Sequence, residues 1–295
     1  MALDQELQNK QLSLNNFLSL SARVLNYLPE VISNYHVKGD YKIGISNLAG
    51  TTKYIRPINR NLFIDNVEEL DLAFSKLKRL LACAKRDGFK FGKEELENID
   101  QTVYTIQQSI GVGLDLMVNP NAARKHVGIR FEELIKCIFD ELGVSNQKTV
   151  LQIPYEGDTG NKVYKCENDL ILSPHNQVES TTKFLDEKEI VVSIKTTSKD
   201  RMGKIFIDKL LLERFIGHPQ KIIGIFLNDV QRKEEDNISF TLVSGLFMVY
   251  TQFLTELEGI YYLDPPPNVS KEPYNRYMKR FSQLIAVDIW KILAS

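Results

Sequence analysis

Apolar positions in the first third of the chain recur at helical spacing. Leucines and valines mark Leu7–Val31, and the pattern returns over Val67–Arg86 through Leu70, Leu72, Phe74, Leu77, Leu80 and Leu81, one face of a 3.6-residue period. A third helix is expected over Lys93–Met117, weakened by Gly111 and Gly113. Gly39, Gly44, Gly50 and Pro57 punctuate the stretch between the first two helices, which reads as a loop or small hairpin. Asn119-Pro120-Asn121 reads as a boundary, closing a helical N-terminal domain over residues 1–120 and opening a second domain over 121–295.

From Ala122 the pattern alternates between helix and strand. A helix is expected over Ile129–Leu142, ended by Gly143 as its C-cap. Strand-like runs follow at Thr149–Pro154, Val163–Leu172 and Glu189–Lys195, then a helix at Lys204–Phe215 and an apolar strand at Ile222–Leu227. Ile238–Val243 reads as a further strand, Leu246–Leu257 as a helix, Pro265-Pro266-Pro267 as a break, and Tyr274–Leu293 as a closing amphipathic helix. Strands interleaved with helices in this order make an α/β fold with a mixed central sheet flanked by helices.

Composition narrows the function. The 295 residues carry a net charge of −1, so any surface that binds nucleic acid must be local. Cys83, Cys137 and Cys166 have no disulfide or metal spacing and read as small residues in a reducing compartment. His36, His126, His175 and His218 are scattered without zinc-like spacing. Gly111-Val112-Gly113 lacks the strand-turn-helix context of a nucleotide loop, no serine elbow is present, and Trp290 reads as core. With an acidic N-terminus and no long apolar run, a soluble cytoplasmic protein is expected.

The chemistry concentrates after residue 190. Ile190-Val191-Val192-Ser193-Ile194 reads as a buried strand, and it releases Lys195-Thr-Thr-Ser-Lys-Asp-Arg. A lysine at a buried strand end keeps its charge if carboxylates lie near; taken alone, it reads as a lysine snorkelling to solvent. Asp169 lies inside the preceding strand-like run, where acids are disfavoured, and strict alternation puts it on a face with Glu167 and Ile171. Asp208 follows Lys195 by 13 residues. Two acids and a lysine suit magnesium-dependent phosphodiester hydrolysis, with the lysine orienting the attacking water. On the helix over 129–142, Glu133 points away from the apolar stripe of Phe131, Leu134, Ile135, Ile138, Phe139 and Leu142. Glu132 sits at its edge and is the glutamate able to turn into a cleft; alone, it reads as a solvated helix residue. Lysine and arginine donate to guanine and an acid accepts from cytosine, so Lys199, Asp200 and Arg201 read as a compact G·C reader, or alternatively as a charged helix-capping turn.

These residues resemble the PD-(D/E)XK nuclease superfamily, within the type II restriction endonucleases that read CCGG or CCNGG cores (EcoRII-, NgoMIV- and BsaWI-like). Asp169 matches the first motif aspartate, with Asn168 in place of the usual proline, and Ser193-Ile194-Lys195 matches the later motif, with serine in place of an acid. In that branch the acid is displaced to a helix, where Asp208 falls; the family usually has glutamate there, and Glu213 is the alternative. Lys199-Asp200-Arg201 matches the recognition element, Gly128-Ile129-Arg130-Phe131-Glu132 the helix that supplies a further acid, and Arg124 and Lys125 fall where relatives contact DNA. The resemblance covers roughly residues 120–230. It implies a restriction-endonuclease-like core over 121–295, with Mg2+ held by Asp169, Asp208 and Glu132. It also implies a homodimer cutting palindromic double-stranded DNA in the bacterial cytoplasm, beside a methyltransferase that acts on the same site. A repair or branched-DNA nuclease of the same fold, and a non-catalytic DNA-binding protein on that fold, are the rival readings.

Overall fold

The computed structural model describes residues 2–48, 50–85, 89–234 and 237–295. The first apolar run breaks in two. Helix α1 spans Leu3–Gln8 and α2 spans Leu14–Val31, because Ser13 takes an extended conformation and accepts from the Asn16 amide, an N-cap that starts a new helix. The glycine-rich stretch takes the hairpin alternative and extends it to four strands: β1 (Asn34–Lys38), β2 (Tyr41–Leu48), β3 (Thr51–Tyr54) and β4 (Ile58–Asn59), antiparallel, with β2 pairing the other three. Only β2 carries a buried alternation, Tyr41, Ile43 and Ile45, and the other three strands are too short or too exposed to show one.

Helices α3 (Val67–Ala84) and α4 (Lys93–Met117) follow; Arg86, at the end of the expected second helix, lies outside the described residues. Helix α4 is enclosed on all sides, with Tyr104, Ile106, Ile110 and Leu114 fully buried. Its glycines are packing requirements. A Cβ on Gly111 would lie 2.3 Å from Arg56 Nη1, and one on Gly113 would lie 2.9 Å from Leu7 Cδ1. Close approach here outweighs the cost of about 1 kcal/mol for glycine inside a helix.

Helix α5 spans Pro120–Glu141, nine residues longer at its start than the apolar stripe indicates. Asn119 caps it by accepting from Ala122 N at 3.0 Å, and Pro120 sits in its first turn, where no amide partner is needed. Gly143 follows it with φ +68.

Then come β5 (Ser145–Gly157), β6 (Gly160–Ser173), β7 (Ile190–Lys195), α6 (Met202–Ile216), β8 (Lys221–Asn228), β9 (Val230–Lys233), β10 (Asn237–Phe240), α7 (Ser244–Phe253), β11 (Gly259–Asp264) and β12 (Met278–Arg280). The central sheet has the order β12-β11-β8-β7-β6-β5. Strands β7, β8, β11 and β12 run parallel, β6 is antiparallel to β7, and β5 is antiparallel to β6. β9 and β10 form a separate hairpin.

Two sequence expectations change here. The closing helix does not begin at Tyr274: residues 278–280 pair with β11 as an edge strand, and the helix starts at Phe281, with a π-helical stretch at Leu284–Asp288. Strand β11, buried throughout, had no counterpart in the pattern reading.

One face of the sheet (Leu170, Leu172, Val192, Ile194, Ile225) packs on Leu134 and Ile138 of α5, in a core that runs continuously from Leu7 to Ile289. The other face (Ile171, Val191, Ile222, Phe226) packs on Ile205 and Phe206 of α6 and Phe247 of α7. Among the described residues no helix is long and apolar enough to cross a membrane.

Candidate active site

β6 and β7 pair only where Leu170–Leu172 meet Ile190–Val192. Beyond that point the strands part, and Asp169 spans the gap. Its Oδ2 accepts from the Ile194 amide at 2.8 Å and from the Lys195 ammonium. The register against β5 also slips there: Gln147 faces Ile171, yet Thr149 faces Asn168, so β6 carries one extra residue. Such a bulge re-aims side chains. Strict alternation therefore fails along β6. Cys166 and Ile171, five residues apart, lie in the same core, and the single face expected for Glu167, Asp169 and Ile171 does not carry through.

Asp169 and Lys195 open onto a cleft of about 280 Å3 that Ser193, Arg201, Lys204 and Asp208 also line. Asp208, on α6, is held by Lys204, whose Nζ lies 2.7 Å from Oδ1 and 2.5 Å from Oδ2. Glu213 lies one to two turns on and outside this lining. It accepts from the Gln220 amide at 3.1 Å and lies 3.8 Å from Lys209, a brace between α6 and the start of β8.

Glu132 is half-buried on α5 and pairs with Lys148 of β5 at 3.2 Å. Burial raises its carboxyl pKa, the negative charge of Asp169 raises it further, and Lys148 and Lys195 pull it down. The two carboxylates therefore feel each other directly. Glu133 is not the solvent-facing residue that the helical wheel implies. Its Oε1 accepts from Arg130 at 2.9 Å and its Oε2 from the Gln11 amide at 3.0 Å, because the chain before α2 covers that side of α5.

Among the described residues, no three carboxylate, imidazole or thiolate groups converge closely enough to clasp an ion. The donors present nevertheless suit a hard cation. Asp169, Glu132 and Asp208 offer oxygen, Asp169 and Glu132 repel one another, and each acid is at present neutralised by a lysine.

The recognition candidates fan out instead of forming one compact reader. Asp200 has φ +55 and Arg201 is the N-cap of α6, so the chain turns sharply between Lys199 and Arg201. Arg201 lines the Asp169 cleft, and Asp200 a neighbouring one with Phe240 and Tyr250. Lys199 lines a groove of about 680 Å3 with Arg124, Arg56, Gln231 and Arg232. Lys125 is exposed on α5 outside that lining. It contributes, after burial and Arg130, to a lowered pKa for His126. Sequence reasoning missed Arg56, Gln231, Arg232 and the buried Asp229. Asp229 gave a usable signal: it is an acid released by the apolar strand over 222–228, the same cue that singled out Lys195.

No protein-family model matches the chain, and no curated protein matches it. Among solved structures, the type IIP restriction endonuclease Kpn2I superposes with a TM-score of 0.70 at 16% identity, covering 95% of this chain and 91% of that one. A complex of the restriction endonuclease PspGI with substrate DNA aligns at a TM-score of 0.41 and 13% identity, over 77% of this chain and 92% of that one, too distant a likeness to weigh. The architecture is restriction-endonuclease-like, a mixed central sheet flanked by helices, as the residue pattern leads one to expect.

Proposed function

We propose that the chain is a type II restriction endonuclease, a Mg2+-dependent enzyme that cleaves double-stranded DNA at a palindromic site with a CCGG or CCNGG core. The observation that carries this reading is the Asp169–Lys195 contact at the point where β6 and β7 diverge, in a chain whose fold matches a restriction endonuclease over nearly its whole length.

The Lys195 ammonium orients Asp169 before substrate arrives. With a phosphodiester in the cleft, its ammonium orients the attacking water and balances the charge gathering on phosphorus. Arg201, on the same lining, offers a donor fork for a phosphate oxygen or a guanine edge. Mg2+, held by Asp169 with Asp208 and Glu132, would supply Lewis-acid stabilisation of that charge. Lys199, Asp200, Arg124 and Lys125 are assigned to DNA contacts. A palindromic site calls for a two-fold homodimer with one cleft per strand. The enzyme would work in the bacterial cytoplasm within a restriction-modification system, its methyltransferase acting on the same sequence.

Digestion of supercoiled plasmid with and without Mg2+, with Lys195→Ala as control and sequencing of the cut ends, tests the reading. Discrete Mg2+-dependent fragments with one shared end sequence support it. Random smearing removes sequence specificity, cleavage confined to branched DNA favours a repair role, and binding without any cutting favours a non-catalytic role.

A further inference from the structure

Asp229 lies between β8 and β9 with no exposed surface. It accepts from the Ser198 amide at 2.7 Å, Thr197 Oγ1 at 3.1 Å, Thr241 Oγ1 at 3.0 Å and the Tyr262 hydroxyl at 2.7 Å. One buried carboxylate thus ties the turn after β7, the far end of the β9–β10 hairpin and β11 into a single unit. A fully satisfied buried network of this kind is rigid.

The turn and the hairpin consequently present their side chains together. Lys199 Nζ lies 3.4 Å from Gln231 Oε1. Both residues line the 680 Å3 groove and also the adjoining cleft of about 430 Å3, which puts them on the ridge between the two. Arg232 is exposed, with its guanidinium 5.2 Å from the centre of the Tyr54 ring, and shares the groove with Arg124. The groove holds Arg56, Arg124, Lys199 and Arg232 against one carboxylate, Asp115. That carboxylate is consumed by a two-pronged pairing with Arg56 at 2.8 Å on each prong. A local positive groove on a chain of net charge −1 fits a polyanion backbone.

We propose that β9 supplies the second half of the DNA-reading surface, with Gln231 contacting an adenine edge beside the G·C core and Arg232 contacting a backbone phosphate. The proposal rests on the site-specific endonuclease reading above. A primary amide both donates to adenine N7 and accepts from its N6 amino group. The second lone pair of Gln231 Oε1 remains available to Lys199. An exposed guanidinium at the groove wall reaches phosphate without sequence preference.

The test compares wild type, Gln231→Ala, Arg232→Ala and Arg232→Lys. Each is assayed by end-sequencing of a Mg2+ digest of plasmid carrying a randomised insert, and by binding to a fixed duplex across a salt series in EDTA. Wild type is expected to demand A·T at one symmetric pair outside the core. Gln231→Ala is expected to lose that demand alone, by about tenfold to a hundredfold in relative cutting. Arg232→Ala is expected to weaken binding to every duplex alike and to lower the slope of log affinity against log salt by about one, while Arg232→Lys keeps the slope. An unaltered site profile in Gln231→Ala, or an unaltered slope in Arg232→Ala, overturns the assignment of that residue. If wild type binds but does not cut, the nuclease reading falls, while the Arg232 slope still decides the groove.

Discussion

Asp100 accepts two hydrogen bonds from Ser282, from its amide at 2.9 Å and its hydroxyl at 2.8 Å, across 182 residues of sequence. The pair fastens α4 to the start of the closing helix. Burial nonetheless raises the Asp100 carboxyl to about 6, with Ser282 and Arg280 pulling against it. Asp264 of β11 is raised to about 6 for the same first reason, against hydrogen bonds from Asn59 and Tyr41. Both acids bind their protons more tightly when folded than when unfolded. Their contribution to stability is therefore complete below the ordinary carboxylate range, near pH 4, and is lost as pH rises through about 6. Urea unfolding is expected to show Asp100→Asn losing most relative to wild type at pH 4 to 5. The deficit should shrink by roughly 1–2 kcal/mol by pH 7.5. A constant deficit across that range would show that Asp100 does not titrate as stated.

Asp169→Asn and Lys195→Ala are each expected to lower plasmid cleavage at least a hundredfold. Both side chains open onto the cleft, so unfolding midpoints should move little. Single-turnover cleavage alongside thermal melts separates the two effects; a large fall in melting temperature with cleavage retained would contradict the assignment.

Adjacent glutamates on α5 should behave oppositely. Glu132→Gln removes a charge that Asp169 feels and is expected to raise the Mg2+ concentration needed for half-maximal cutting, with stability unchanged. Glu133→Gln leaves the Arg130 guanidinium, in a residue only 3% exposed, without its ion partner, and is expected to cost about 3 kcal/mol. A Mg2+ titration and a urea curve on each variant check the contrast.

Asp208 and Glu213 divide in the same way. Asp208→Ala is expected to weaken Mg2+-supported cleavage, since its carboxylate lines the cleft. Glu213→Gln is expected to lower stability by about 1–2 kcal/mol through its contacts to Gln220 and Lys209, with cleavage intact. If Glu213→Gln alone abolishes cutting, the acid on α6 has been misassigned.

Most of the sheet was readable because β7 and β8 are apolar runs bounded by polar residues and β6 ends in Leu170-Ile171-Leu172, and the acid and lysine stood out against them. What escaped depends on partners distant in sequence. β11 is six residues that start at Gly259 and stop at a proline run, and β12 is a strand only because β11 lies beside it. Of the four N-terminal strands, β1, β3 and β4 are short and largely exposed or only two residues long, and glycines punctuate the stretch. Glu133 looked solvent-facing because a helical wheel knows nothing of Gln11. The bulge at Asp169 is a matter of register against β5, and no spacing along β6 alone encodes it. The groove lining draws on β3, α4, α5, the turn after β7, β8 and β9, so Arg56 and Arg232 gained meaning only once those elements met.

Leu7 and Ile289 belong to one apolar interior, and the order of synthesis gives this a consequence. Residues 281–289 must be in place before the core around α4 is closed, since Phe281, Leu284, Ile285 and Ile289 belong to it. A product that stopped short of Phe281 would accordingly leave one side of α4 bare, an apolar surface that the closing helix exists to cover.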